Sequence, residues 1–198
     1  PIDTFSGYGA RSRDFVKALI KVRDDKWNIK IIPQMWGNCP WNYLSPDDPL
    51  RSRFIPQLPS QPDIWFQITV PNEFQAVAKH LNVGITAGIE STVFPGEFTE
   101  GCNRMDVTFI SSEFSKRVYE TTKMEKKDDK NNVVGNLEAQ KPAEILFEGL
   151  DLDKYNKKPT NSGILKDIHE DFCFLFTGHW LDGDFGEDRK DVGRLIQT

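Results

Sequence analysis

The residues best equipped for chemistry are few and scattered over 198 positions. Gly7-Tyr8-Gly9 stands where a helical pattern starts. Glycines there can present backbone N–H groups to a phosphate, because they allow close approach and the amino end of a helix is partly positive. The same pair can equally be a tight turn. The dinucleotide fingerprint G-x-G-x-x-G needs a third glycine at position 12, where Ser12 stands, and this weighs against an NAD-type site. Asn72 and Glu73 close an apolar run; they read either as ligands for hydroxyl groups or as an Asn turn capped by its neighbour. DGDFGED, Asp182 to Asp188, is acidic but lacks the twelve-residue ligand series of a calcium loop, so a solvated acidic loop is the better reading. Trp36, Trp41 and Tyr43 either pack a long loop or stack on a ring, while His80 and His169 read as surface residues.

The elements that must carry these residues alternate. Ser6 to Val22 reads as a glycine turn and an amphipathic helix with Phe15, Leu19 and Val22 at spacings of four and three. The turn comes so soon after Pro1 that an initial strand is expected upstream of it. Ile29 to Pro33 reads as a short buried strand, and Trp36 to Pro62 as an irregular but ordered excursion rich in Pro, Trp and Asn. Strands are expected over Pro62–Val70 and Asn82–Ala87 with a short helix through Ala76–His80 between them. A helix over Glu97–Asn103, a strand ending at Ser111, and a helix over Glu113–Tyr119 capped by Ser112 come next. Lys123 to Asn136 is charged and reads as a solvated loop or a frayed helix end, Ala143 to Tyr155 as a last strand and turn, and Lys157 to Gly163 as a linker. Beyond it, Phe172 to Thr177 has a buried-strand pattern, and Asp188 opens a helical one with Val192, Leu195 and Ile196 on one face. The fold class is therefore α/β: an open, mostly parallel sheet with helices on both faces, whose ligands gather at the carboxyl ends of the strands.

Composition narrows the function. With 38% hydrophobic residues the chain can bury a sizeable core, and a formal charge of -5 without a basic block argues against a nucleic-acid partner. No run approaches the roughly 18 apolar residues of a membrane span, and the chain is read as cytoplasmic. Cys39, Cys102 and Cys173 contain no CxxC pair and read as buried free thiols.

Taken in order, the glycine turn, PDIWFQITVPNEF, VGITAGIEST, EGCNRMDVTFISSEFSKRVYE, ILFEGLDLDKY and FLFTGHWLDGDFGEDRKDVG resemble the retaining GT-B glycosyltransferases of the glycosyltransferase group 1 type along essentially the whole chain. The resemblance implies an acceptor-side Rossmann-like domain over residues 1–163. Residues 164–198 would be the first strand, loop and helix of a second Rossmann-like domain, the donor-binding one, whose remainder would lie past Thr198. It implies an enzyme that transfers a sugar from a nucleotide-diphosphate donor to a hydroxyl acceptor with retention; the alternative is a non-catalytic glycosyltransferase-like binding or interaction domain. The partners would be the nucleotide sugar and a carbohydrate or other acceptor, with no cofactor and no metal. Gly7 and Gly9 would approach the donor diphosphate, and Lys190 would bind it with help from Arg189. His179 stands where the family usually has an arginine, and diphosphate binding would then depend on pH. The family's histidine near the transferring sugar is missing from GIEST, where Glu90 becomes the candidate catalytic or acceptor contact and capping of the next turn its structural alternative. Asn72 and Glu73 would bind the acceptor, Glu148 replaces an asparagine, and Arg104 is read as a structural ion-pair partner.

Overall fold

The computed structural model describes residues 1–128, 130–153, 155, 156, 163, 166, 168–178, 186, 187 and 191–197. It divides into two compact units, Pro1–Tyr155 and Asn156–Thr198. In chain order the first unit holds α1 (Gly7–Arg23), β1 (Ile64–Ile68), β2 (Leu81–Thr86), α2 (Gly96–Arg104), β3 (Val107–Ile110), α3 (Glu113–Thr121), β4 (Lys123–Lys127), β5 (Val133–Glu138) and β6 (Ala143–Ile145). The second holds α4 (Val192–Gln197).

Four short apolar runs build one parallel sheet in the order β1-β2-β3-β6. Its register sets Ile68 beside Ile85, Val83 beside Val107, and Ile110 beside Ile145. Side chains alternate along each strand, so both faces need cover. Phe66, Ile68, Val83, Ile85, Val107 and Phe109 form one face, on which Tyr8 and Phe15 of α1 pack. Ile110 and Ala143 belong to the other, where Cys102 of α2 and Val118 and Tyr119 of α3 close over Phe74 and Phe94. The α/β class, the parallel sheet and the helices on both faces agree with the sequence pattern.

Strands β1 to β3 and helices α2 and α3 fall within two residues of their expected ends, and Ser112 caps α3 by accepting the N–H of Ser115 at 3.2 Å. The excursion over residues 36–62 is ordered. Buried Asp3 accepts the N–H of Leu44 at 2.8 Å and pairs with Arg51 at 3.2 Å, and Asp48 caps a 3-10 turn over Pro49–Arg53. Beneath it Ile2, Ile31, Leu44 and Leu50 form a separate apolar cluster.

Five expectations change. The strand at Ile29–Pro33 reduces to a single parallel bridge between Ile31 and Phe54. No helix forms over Ala76–His80, because side chains take the amides a helix would use: Asn82 Oδ1 accepts from Val77 and Ala78, and Gln67 Oε1 from Gln75. The charged loop at 123–136 is instead the antiparallel hairpin β4–β5, turned by Asp128, whose carboxylate accepts the N–H groups of Lys130 and Asn132. Phe172 to Thr177 is not a strand; Phe174 and Leu175 are 91% and 89% exposed, and among the described residues no strand pairs with this run to satisfy its backbone. The thiols are not all buried: Cys102 is, whereas Cys39 is half-buried and Cys173 exposed. Among the described residues no helix is long and apolar enough to cross a membrane.

Candidate functional site at the carboxyl edge of the sheet

Parallel strands end together, and the turns that leave them share one edge. Helix α1 starts there. Ser6 is its N-cap, with Oγ accepting the Gly9 N–H at 2.9 Å while the Ser6 carbonyl takes the N–H of Ala10. Among the described residues the amides of Gly7 and Tyr8 have no acceptor, as the geometry of a first turn dictates. The two glycines differ. A Cβ at Gly7 would meet nothing within 4 Å, whereas one at Gly9 would lie 2.4 Å from the Thr4 carbonyl oxygen. Gly9 is thus required for close packing, its N–H is engaged by the cap, and Gly7 is the open position. The first turn of α1 carries no acidic residue, in contrast to Glu97 in α2 and Glu113 in α3.

Two side chains of α1 tie this turn to the strand ends. The Tyr8 hydroxyl lies 3.0 Å from Thr86 Oγ1 at the end of β2 and accepts the N–H of Ala87 at 3.2 Å, with its ring against Trp36. Arg11, whose side chain is 9% exposed, donates to the Leu146 carbonyl just past β6 at 2.7 Å and pairs with Glu148 at 3.0 Å. Its Nε is buried without a hydrogen-bond partner among the described residues. Sequence reasoning missed Tyr8, Arg11 and Thr86. The spacing of Tyr8 and Arg11 on the helix, i and i+3, was a usable signal for side chains pointing to one side.

The turn after β2 is also fixed. Ser111 Oγ donates to the Ala87 carbonyl, and Ser115 Oγ donates to the Ile89 carbonyl at 2.8 Å while accepting that residue's N–H at 3.3 Å. Gly88 has φ +86° and a Cβ there would sit 2.6 Å from Ser115 Cβ, so only glycine fits the bend. Glu90 follows, exposed, and among the described residues no hydrogen bond or ion pair restrains its carboxylate.

Asn72 and Glu73 leave β1 in a 3-10 turn, Pro71–Glu73, that belongs to the α2 side of the sheet. Arg104 Nε donates to the Phe74 carbonyl and its Nη2 to the Asn72 carbonyl, both at 2.8 Å; it braces a turn instead of forming the expected ion pair. The Glu73 carboxylate accepts from the Thr69 hydroxyl, and its carbonyl from Gln67 Nε2. No described contact joins Asn72 or Glu73 to Gly7 or Glu90. The aromatics of the excursion are used in packing: Trp36 on Tyr8, and Tyr43 on the Arg13 guanidinium at 3.5 Å.

His179, Arg189 and Lys190 lie outside the described residues, as does most of the 182–188 loop. Among the described residues no cluster of three His, Cys, Asp or Glu side chains has metal-binding geometry. Burial pushes the Cys102 thiol up to about 12, which leaves it protonated and inert as a nucleophile. At the opposite, amino end of the sheet, Asp106 accepts from the backbone N–H of Asn82 at 2.8 Å, and this bond holds its carboxyl below the usual range.

Comparison with known proteins gave no match to a family model, a curated protein or a solved structure. The functional reading therefore rests on sequence pattern and geometry.

Proposed function

We propose that the chain is the acceptor-side half of a two-domain retaining glycosyltransferase of the GT-B type, with residues 164–198 opening its donor-binding domain. It would transfer a sugar from a nucleotide-diphosphate donor to a hydroxyl acceptor. The observation that carries this reading is the first turn of α1: unengaged Gly7 and Tyr8 amides, no acidic side chain, and a position against the carboxyl ends of β2 and β6. Negative charge grows on the diphosphate as it leaves the sugar, and fixed N–H donors at a helix start stabilise that charge without reorganising. Lys190, assisted by Arg189, is the cationic contact for the diphosphate that the resemblance implies, and His179 makes binding stronger as the pH falls through imidazole protonation. Glu90 on the neighbouring turn meets the sugar or the acceptor hydroxyl. Asn72 and Glu73 serve the acceptor through their exposed faces.

A second reading, an interaction domain that keeps the fold without the chemistry, is favoured by one feature. Glu148 places a carboxylate on Arg11 beside the same edge, where it competes with an anion for that guanidinium. Calorimetric titration of the full two-domain protein, its cleft intact, with UDP, GDP and ADP separates the two. The transferase reading expects one of them to bind and Lys190→Ala to weaken it about tenfold, or about 1.4 kcal/mol. Absence of binding by all three, or indifference to Lys190→Ala, would refute it.

A further inference from the structure

A groove of about 540 Å³ runs along the outer edge of β1, lined by Phe66 and Ile68 of that strand, Phe15 and Leu19 of α1, and Ile29 and Ile31 of the extended segment opposite. Strand β1 ends the sheet order, and among the described residues no strand pairs with its outer edge. The Thr69 N–H bonds the Ile85 carbonyl and the Asp63 carbonyl takes the Leu81 N–H, so the odd-numbered residues direct their main chain at β2. By the alternation of an extended strand, the main-chain groups of Ile64, Phe66 and Ile68 face the groove. On the opposite wall Ile31 spends its N–H on the Arg53 carbonyl and its carbonyl on the Ile55 N–H, both at 2.9 Å, which turns the main chain of Lys30 and Ile32 the other way. Two rows of backbone groups facing each other across apolar side chains have the form of a parallel sheet with one interior strand taken out.

Pro1 and Ile2 also line this groove. The Pro1 carbonyl accepts the N–H and the hydroxyl of Thr4 at 3.1 and 2.7 Å, and a Cβ on Gly9 would lie 2.9 Å from it, so Pro1 sits by the first turn of α1, at the carboxyl edge of the sheet. Arg13 fixes this corner by donating to the Ile2 and Thr4 carbonyls at 2.7 and 2.9 Å. The corner suits a peptide-linked proline better than a charged amine. Burial pushes the Pro1 amine down to about 6, whereas a proline bonded to a preceding residue has neither charge nor N–H to satisfy. We propose that the groove seats the residues of this protein that immediately precede Pro1. They form an apolar strand paired with Ile64, Phe66 and Ile68 on one side and with Lys30 and Ile32 on the other. A strand that ends at Pro1, on the carboxyl edge, runs parallel to β1. Its covalent link to Pro1 gives it an effective concentration that a separate chain does not match. It makes β1 an interior strand, and it suspends Ser6 and the open turn of α1 from the middle of the sheet instead of its rim.

The test is nuclear magnetic resonance on the protein at its natural length, beside the 198-residue chain. The proposal expects nuclear Overhauser contacts from the Phe66, Ile68 and Ile32 amides to α-protons of residues preceding Pro1. It also expects those amides to exchange about tenfold more slowly in the natural-length protein than in the chain that starts at Pro1. It is overturned if the natural protein itself starts at Pro1, if the contacts are missing, or if the amides exchange equally fast in both forms. Contacts that vanish on dilution would assign the strand to another molecule and overturn it as well.

Discussion

Two turns at the carboxyl edge of this sheet have opposite bonding. The turn at Asn72-Glu73 is closed: Arg104 holds two of its carbonyls, Gln67 and Thr69 hold Glu73, and Gly101 of α2 presses against the Pro71 carbonyl. The turn at Gly7-Tyr8 is open: its cap stops at Gly9, its amides are unengaged among the described residues, and space surrounds Gly7. Residue type at a turn does not distinguish a braced backbone from one open to the donor diphosphate. What does is whether the backbone groups already have partners.

Substitutions can break this contrast. The largest effect is expected at Gly101→Ala, where a Cβ would lie 1.8 Å from the Pro71 oxygen, a backbone atom that cannot step aside. Loss of about 3 kcal/mol in urea unfolding is expected; a neutral result would mean the turn is not closed. Arg104→Met should cost about 2 kcal/mol by leaving the Phe74 and Asn72 carbonyls without their charged donor. Tyr8→Phe removes the hydroxyl from Thr86 and Ala87 and should cost about 1 kcal/mol, measurable in the same assay. Gly7→Ala should be the mildest, stabilising by about 0.5 kcal/mol or less, since the residue is helical and nothing opposes the methyl group. A penalty above about 1 kcal/mol at Gly7 would show that the open turn is packed after all.

The sequence carried the sheet well and the site poorly, for physical reasons. Ile64–Ile68, Leu81–Thr86 and Val107–Ile110 are apolar runs bounded by turn residues, and their burial on both faces is written in their composition. The hairpin at 123–138 is not, because β4 carries four charged residues around Met124; Met124 and Leu137 find their packing against Gly96 of α2, far from the local pattern. The residues at 76–80 have ordinary helical character until Asn82 reaches back for their amides. Phe172–Thr177 shows the reverse failure, a strand pattern with no strand paired to it among the described residues. At the edge itself, Gly7 was visible as a glycine at a helix start. Tyr8 and Arg11 were not, since their partners stand 78 and 135 residues away along the chain.

The contrast between the two turns is tested most directly by following backbone amide chemical shifts while a nucleoside diphosphate is titrated into the protein. The amides of Gly7 and Tyr8 should move with a common saturation curve, and those of Asn72 and Glu73 should stay still. Unmoved Gly7 and Tyr8 amides, or a response confined to Asn72 and Glu73, would contradict the assignment of α1's first turn as the binding edge.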